Sequence, residues 1–311
     1  MSKTCKIVMY HYVRPLHNSK YPEIKGLETS GFERQLRYFK NTYQFIGAEE
    51  LLDSINEGKE LSDNSVILTF DDGLKDHYGH VFPILQKTGI QGLFFPPGKP
   101  IDKNLVLDVH KIHFILASCS NKKQLVNDIF EMIKKYKNDY QLEEPELYYS
   151  RLAIASRFDP KEIIFIKRIL QRELPTELRN LITDHLFKKY VTEDESSFSK
   201  SLYLSYNEIS EMTENNMYFG SHTYSHEWLA FLNHDRLEKE LSQSMDFYAK
   251  INKRNDNWIM CYPYGNYNEQ VIEKIKKIGF KAGLTTIVGD ATIDLENAFK
   301  LSRFDTNDFP Q

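Results

Sequence analysis

Short apolar runs recur along this chain, each closed by a polar or glycine-containing turn: Lys6 to Met9, Val66 to Phe70, Gly92 to Phe95, Met217 to Phe219, Trp258 to Tyr262 and Ala282 to Thr285. Runs of this length between breakers predict buried strands. Between them apolar residues return at helical spacing, as at Phe32, Leu36 and Phe39, or at Leu237, Leu241 and Met245 in a segment that Asp235 is placed to cap. Strands alternating with helices predict an α/β fold with parallel pairing.

The stretch from Leu105 to Lys200 breaks this rhythm, being rich in Lys, Glu, Leu and Ile and nearly free of glycine. It predicts a helical insertion within one domain spanning residues 1–311. Helices are expected over Leu105 to Ala117, Lys122 to Lys137, Pro160 to Arg172, with the proline at the first helical position, and Thr176 to Tyr190. Emerging from a strand–helix loop, they are expected to sit above the strand ends and narrow the site.

Composition removes several classes. With 311 residues, 41% hydrophobic and 27% charged, the chain has the makings of a large core, and disorder drops out. Forty basic against forty-four acidic residues leave a net charge of −4, with no basic stripe to follow a phosphate backbone, so nucleic acid is not an expected partner. Cys5, Cys119 and Cys261 are too few and too scattered for a disulfide framework. The start, Met1 to Tyr10, reads as neither a signal peptide nor a spanning helix, and a cytoplasmic protein is the expectation.

Three clusters carry candidate chemistry, each at the end of an apolar run. Val66-Ile-Leu-Thr-Phe70 runs into Asp71-Asp72-Gly73, placing two carboxylates at the C-terminal end of a strand, where barrel enzymes hold their catalytic groups. Neighbouring side chains on extended backbone point different ways, so one acid can hold a metal while the other handles a proton. An isolated Asp-Asp-Gly more often caps a helix. Gly220-Ser221-His222-Thr223-Tyr224-Ser225-His226 offers two histidines four apart, a spacing that can converge on one ion. The pairs His77 with His80 and His110 with His113 read as structural or surface groups. Finally, Trp258 to Tyr262 ends in Pro263-Tyr264-Gly265, a rigid turn able to aim a backbone N–H at a reacting oxygen or simply to pack an aromatic. Together the clusters supply metal ligands, a base and an oxyanion donor, the parts of a hydrolytic site.

At these residues the sequence resembles the polysaccharide deacetylases, metal-dependent carbohydrate esterases. Thr69-Phe70-Asp71-Asp72-Gly73 is similar to the family's first motif, His222-Thr223-Tyr224-Ser225-His226 to its second and Pro263-Tyr264-Gly265 to its third, while Lys300-Leu301-Ser302-Arg303 falls where the last is expected. The resemblance spans Lys6 to about Phe95 and Leu202 to the C-terminus. It implies a distorted (β/α) barrel, usually of seven strands. It further implies Asp71 as general base, a metal held by Asp72, His222 and His226, and the Tyr264 N–H in the oxyanion hole. Zinc is the first choice, with cobalt, nickel or manganese also able to serve.

Two departures stand out. Where the family often places an arginine that orients the base, this chain has Cys261 and Tyr262; where it places a general-acid histidine, this chain has Arg303. Arginine stays protonated near neutral pH and is no proton donor, but it can pair with a carboxylate or an anionic substrate group. His11, at the end of the first run, is the candidate for a substitute acid or a substrate contact. The expected activity is removal of an N-acetyl group from a sugar or oligosaccharide precursor in surface polysaccharide biosynthesis. The alternatives are a catalytically impaired glycan-binding relative and an amidohydrolase acting on a small non-sugar amide.

Overall fold

In the computed structural model, which describes residues 4–62, 64–156, 159–252 and 257–311, each of the six predicted apolar runs contains or overlaps a strand. The strands are β1 (Thr4–Tyr10), β2 (Gln44–Phe45), β3 (Ser65–Asp71), β4 (Gly92–Phe95), β5 (Tyr218–Phe219), β6 (Ile259–Cys261), β7 (Ala282–Leu284), β8 (Ala291–Thr292) and β9 (Phe304–Asp305). Pairing is mostly parallel. β1 aligns with β3 from Cys5 opposite Ser65 to Tyr10 opposite Phe70, β3 with β4, β4 with β5 and β6 with β7. Single bridges from Ser221 to Met260 and from Leu284 to Leu301 carry parallel pairing from β5 to β6 and from β7 to the residues entering β9. Because β9 pairs with β1, neighbour-to-neighbour pairing returns to its starting strand. β8 lies antiparallel to β1.

The chain divides into two compact units. The first comprises Met1–Pro15, Gly26–Leu105 and Ser199–Gln311 and contains all the strands. Its core follows the period of two along each strand. Ile7, Ile67, Leu93 and Phe95 enter one apolar cluster with Ile259, Ala282 and Leu284, while Val8, Tyr10, Leu68, Phe70 and Phe94 enter another with Phe32 and Phe39 of the helix Thr29–Thr42. Both faces of β3 are thereby covered, and none of its residues is exposed, as parallel strands require.

The second unit comprises Leu16–Lys25 and Val106–Phe198. Its helices include Asp108–Ser118, Lys122–Tyr140, Pro145–Leu152, Lys161–Arg168 and Thr176–Tyr190. Ile112, Ile115, Leu125, Ile129, Phe165, Ile182 and Leu186 form its interior. The early segment Leu16–Lys25 joins through a Lys25–Asp159 ion pair and through Tyr21, whose ring meets Phe114 edge-on at 4.9 Å. No helix among the described residues is long and apolar enough to cross a membrane.

Three local expectations are corrected. The helix His234–Ile251 is capped by Asn233, whose side chain accepts the Arg236 N–H, so Asp235 lies inside the first turn, where its charge favours the helix dipole. Pro160 is the capping residue rather than the first helical one, and that helix widens into a π turn over Ile169–Glu173. The first insertion helix begins at Asp108, not Leu105.

Candidate active site

Asp71 closes β3 on the face shared with Ile67 and Thr69, pointing away from Phe70. Both its oxygens are taken by Arg303, Nη1 to Oδ1 at 2.8 Å and Nη2 to Oδ2 at 2.8 Å. The guanidinium is buried and donates further to the Thr285 carbonyl through Nε at 2.7 Å and to Thr69 Oγ1 at 3.2 Å. Burial opposes ionisation of Asp71, but Arg303 and the nearby His222 outweigh it and hold the carboxyl down to about 2. Asp71 is therefore a fixed carboxylate rather than a helix cap. Arg303, held by protein acceptors and 1% exposed, orients the Asp71 carboxylate and presents no free face to a substrate.

Backbone geometry turns Asp72 away from its neighbour. Asp72 has φ 72° and Gly73 φ 60°, and a side chain at Gly73 would stand 2.6 Å from the Pro96 Cβ. Asp72 Oδ1 then lies 3.4 Å from Nε2 of both His222 and His226. Ligands on a tetrahedral ion with bonds of about 2.0–2.1 Å stand about 3.3 Å apart, so the spacing and the two-imidazole, one-carboxylate donor set fit a zinc-like ion. The residues also fit in their hydrogen bonds. His222 Nδ1–H donates to the Cys261 carbonyl at 2.7 Å, which leaves Nε2 with its lone pair toward Asp72. Asp71, His222 and Cys261 make a second convergence, but Asp71 is committed to Arg303 and burial pushes the Cys261 thiol up, keeping it protonated and a poor ligand.

The histidine loop is held from behind. Ser221 pairs with β6 through N–H to the Ile259 carbonyl at 3.0 Å. Glu240, buried in the helix His234–Ile251, accepts the N–H groups of Tyr224 at 2.9 Å and Ser225 at 2.5 Å. Ser244 of the same helix meets Ser221, Oγ to Oγ, at 2.7 Å. Sequence reasoning missed Glu240, although an acid in the apolar stripe of that helix signals a buried partner.

Tyr264 stands in the Pro263–Gly265 turn with φ 57° and ψ 11°. A left-handed L residue costs about 1–2 kcal/mol. Such residues concentrate here: Asp72, Thr223, His226 and Tyr264 have positive φ, whereas the other non-glycine cases, Asn104, Gln141 and Asn216, end or follow helices. Strain gathered in one place and lacking a helix-ending role marks a functional site.

His11 is the most accessible member, its side chain 39% exposed with Nε2 4.0 Å from Asp71 Oδ2 and 3.9 Å from Asp72 Oδ2. Its carbonyl accepts from His77 Nε2 at 2.9 Å. Burial pushes the His77 imidazole down, favouring the neutral form, and it packs against both Phe70 and Phe94. The structural reading of His77 thus acquires a specific object. His110 and His113 lie in the second unit, with His110 buried.

The comparisons with known proteins agree with one another. A family model described as polysaccharide deacetylase matches residues 58–137 and 182–283. YxkH of Bacillus subtilis is 20% identical over 289 residues, covering 93% of this chain and 66% of that protein. The poly-beta-1,6-N-acetyl-D-glucosamine N-deacetylase of Escherichia coli K12 is 34% identical over 78 residues, 25% of this chain and 12% of that enzyme. This chain thus spans just under two thirds of the one and about an eighth of the other. Among solved structures, the Streptococcus pyogenes deacetylase PplD in complex with acetate superposes with a TM-score of 0.60 at 17% identity, over 98% of this chain and 93% of that one, a likeness of fold.

Proposed function

The chain belongs to the polysaccharide deacetylase family, and on that premise we propose that it removes the N-acetyl group from an amino sugar in a glycan or glycan precursor, by hydrolysis at the Asp71–Asp72 site. The observation that carries this reading is the division of labour between adjacent acids. Asp71 is gripped by an arginine and Asp72 faces two histidines.

Asp72, His222 and His226 would hold a divalent ion, zinc by donor chemistry. Such an ion, when bound, polarises a carbonyl oxygen and lowers the pKa of water. Asp71 accepts the proton of the attacking water at a carboxylate oxygen, and Arg303 keeps that carboxylate ionised and aimed. The Tyr264 N–H donates to the carbonyl oxygen as it gains negative charge, a contact type worth about 3 kcal/mol. His11 Nε2, at the exposed edge of both carboxylates, delivers a proton to the departing sugar nitrogen.

The name of the Escherichia coli relative supports poly-N-acetylglucosamine as the substrate class, and a short nucleotide- or lipid-linked precursor carries the same acetamido group. The test is acetate release by zinc- and cobalt-loaded protein from oligomeric, nucleotide-linked and lipid-linked N-acetyl sugars, with Asp71→Asn as control. Release that vanishes in the variant supports the reading and identifies the sugar class. A tightly bound ion with no release from any donor favours a glycan-binding relative. Release only from small non-sugar amides favours an amidohydrolase.

A further inference from the structure

Tyr264 is not held by its own turn alone. Its ring lies flat against Trp228, centroids 4.2 Å apart and planes 6° from parallel, while its other neighbour is the His226 imidazole, edge-on at 4.6 Å and 69°. One residue, Glu227, separates His226 from Trp228 in the chain, so the histidine loop reaches just past its last histidine to stack on Tyr264, the residue read as the oxyanion donor. Beyond Trp228 the chain turns through Leu229–Phe231, with Leu229 fully buried among Ile259, Tyr262 and Val271. Two hydrogen bonds tie this turn to the residues following Tyr264. The Ala230 N–H donates to Asn266 Oδ1 at 2.8 Å, and Asn268 Nδ2 donates to the Ala230 carbonyl at 3.4 Å. Asn268 is itself fixed as the cap of the helix Glu269–Ile278.

We propose that Trp228 is a positioning residue: with the Ala230–Asn266 bond it clamps the left-handed Tyr264 so that its backbone N–H faces the reacting carbonyl, and it locks that donor to the loop bearing His222 and His226. The physical need is clear. A tyrosine at φ 57° reverts to a commoner conformation unless its surroundings over-determine it, and rotation about Tyr264 swings the N–H. A flat stack on Trp228 and an edge-on contact with the His226 imidazole fix the ring, and a fixed ring restricts the backbone that bears it. Gly265 lets the turn close: at φ 63° its Cα sits so near Thr286 that a Cβ would stand 2.1 Å from Oγ1. The clamp therefore closes against Thr286 on one side and Trp228 on the other. Its catalytic consequence rests on the reading of Tyr264 as oxyanion donor; the clamp itself does not.

The experiment compares wild type with Trp228→Ala, Trp228→Phe and Asn266→Ala, each metal-loaded, by hydrogen exchange of the segment 262–268, by metal affinity and by steady-state kinetics on an N-acetylglucosamine oligomer. The clamp predicts faster exchange of 262–268 in Trp228→Ala and Asn266→Ala, near-wild-type exchange in Trp228→Phe and unchanged metal affinity. It predicts a fall in kcat of about 10- to 100-fold in Trp228→Ala with KM within about twofold, because a misaimed donor loses transition-state stabilisation and not ground-state binding. Wild-type exchange of 262–268 in Trp228→Ala overturns the clamp, as does a raised KM at unchanged kcat, which would make Trp228 a substrate contact. If Trp228→Ala fails to fold, Asn266→Ala carries the same two criteria. If the wild type releases no acetate from any donor, the functional reading fails while the exchange result still decides the clamp.

Discussion

Arg303 and Asp71 stand 232 residues apart in the chain and meet in a two-pronged ion pair, both bonds 2.8 Å long and both side chains buried. The positions just before Pro263 hold Cys261 and Tyr262, and the guanidinium that meets Asp71 arrives from the strand-end segment after Leu301.

This relationship predicts that Arg303→Met is costly. It leaves a buried carboxylate without its counter-charge, a loss of about 3–5 kcal/mol of folding stability measurable by chemical denaturation. Arg303→Lys keeps the charge but cannot span both oxygens, so kcat should fall by about tenfold or more while the fold survives. The double variant Arg303→Met with Asp71→Asn should recover much of the lost stability, since neither charge remains. If Arg303→Met alone is as stable as wild type, the pair does not bear on the fold as described.

A second prediction separates the two acids. Asp71→Asn should retain about one metal per chain and lose turnover by roughly 10²–10⁴-fold, the usual contribution of a general base. His222→Ala should lose both metal and turnover. Metal content by elemental analysis, beside acetate release, decides the matter, and equal metal loss in the two variants would refute the division of labour.

Glu240 gives a third. Its carboxylate holds the N–H groups of Tyr224 and Ser225 between His222 and His226, so Glu240→Ala should loosen the loop without removing any of the three converging side chains. Metal affinity should drop by about 10- to 100-fold, as when other supports behind metal ligands are removed. Activity at saturating zinc should largely return. A variant with wild-type affinity would show that the loop is fixed by Ser221 and its pairing with β6 alone.

Much of this was legible in the chain, and the limits have physical reasons. Ser65–Asp71 announces itself because a strand buried on both faces is largely apolar, and Asp71-Asp72-Gly73 stands out against it. β2, β8 and β9, at two residues each, are too short for any period to show. The cap at Asn233 rather than Asp235 is a shift of two residues between equally suitable types, settled by tertiary packing of Leu237 and Leu241. The convergence of Asp72, His222 and His226 was readable because each residue sits in a local motif. The Arg303–Asp71 pair was half readable: an arginine in place of an acid histidine and a missing base partner are both visible, but only the fold joins them. Trp228 was not readable, since a tryptophan two residues past His226 carries no signal until it is seen lying on Tyr264.

The last prediction concerns the helical unit and its response to pH. Asp128, buried in the helix Lys122–Tyr140, accepts from Lys189 at 2.7 Å, Tyr190 at 2.5 Å and Gln124 at 2.9 Å. Burial alone would raise its pKa, but the bonds from Lys189 and Tyr190 outweigh burial and hold it below the usual carboxylate value. A depressed carboxylate stabilises the fold above the unfolded value near pH 4, and that contribution disappears as pH falls through the lower folded value. Tyr190 behaves in the opposite sense. Burial and Asp128 push its hydroxyl up to about 12, so its contribution is intact below about pH 10 and is lost as pH rises toward 12. Asp128→Asn should therefore lower stability by about 1–2 kcal/mol at pH 7. The gap between variant and wild type should shrink as pH falls below about 4, closing only below the depressed folded value where the wild-type carboxyl is protonated, and narrow again above about pH 10. Thermal melts at pH 3, 5, 7 and 11 check this, and a gap that stays constant across them would show that Asp128 acts through packing and not through its charge.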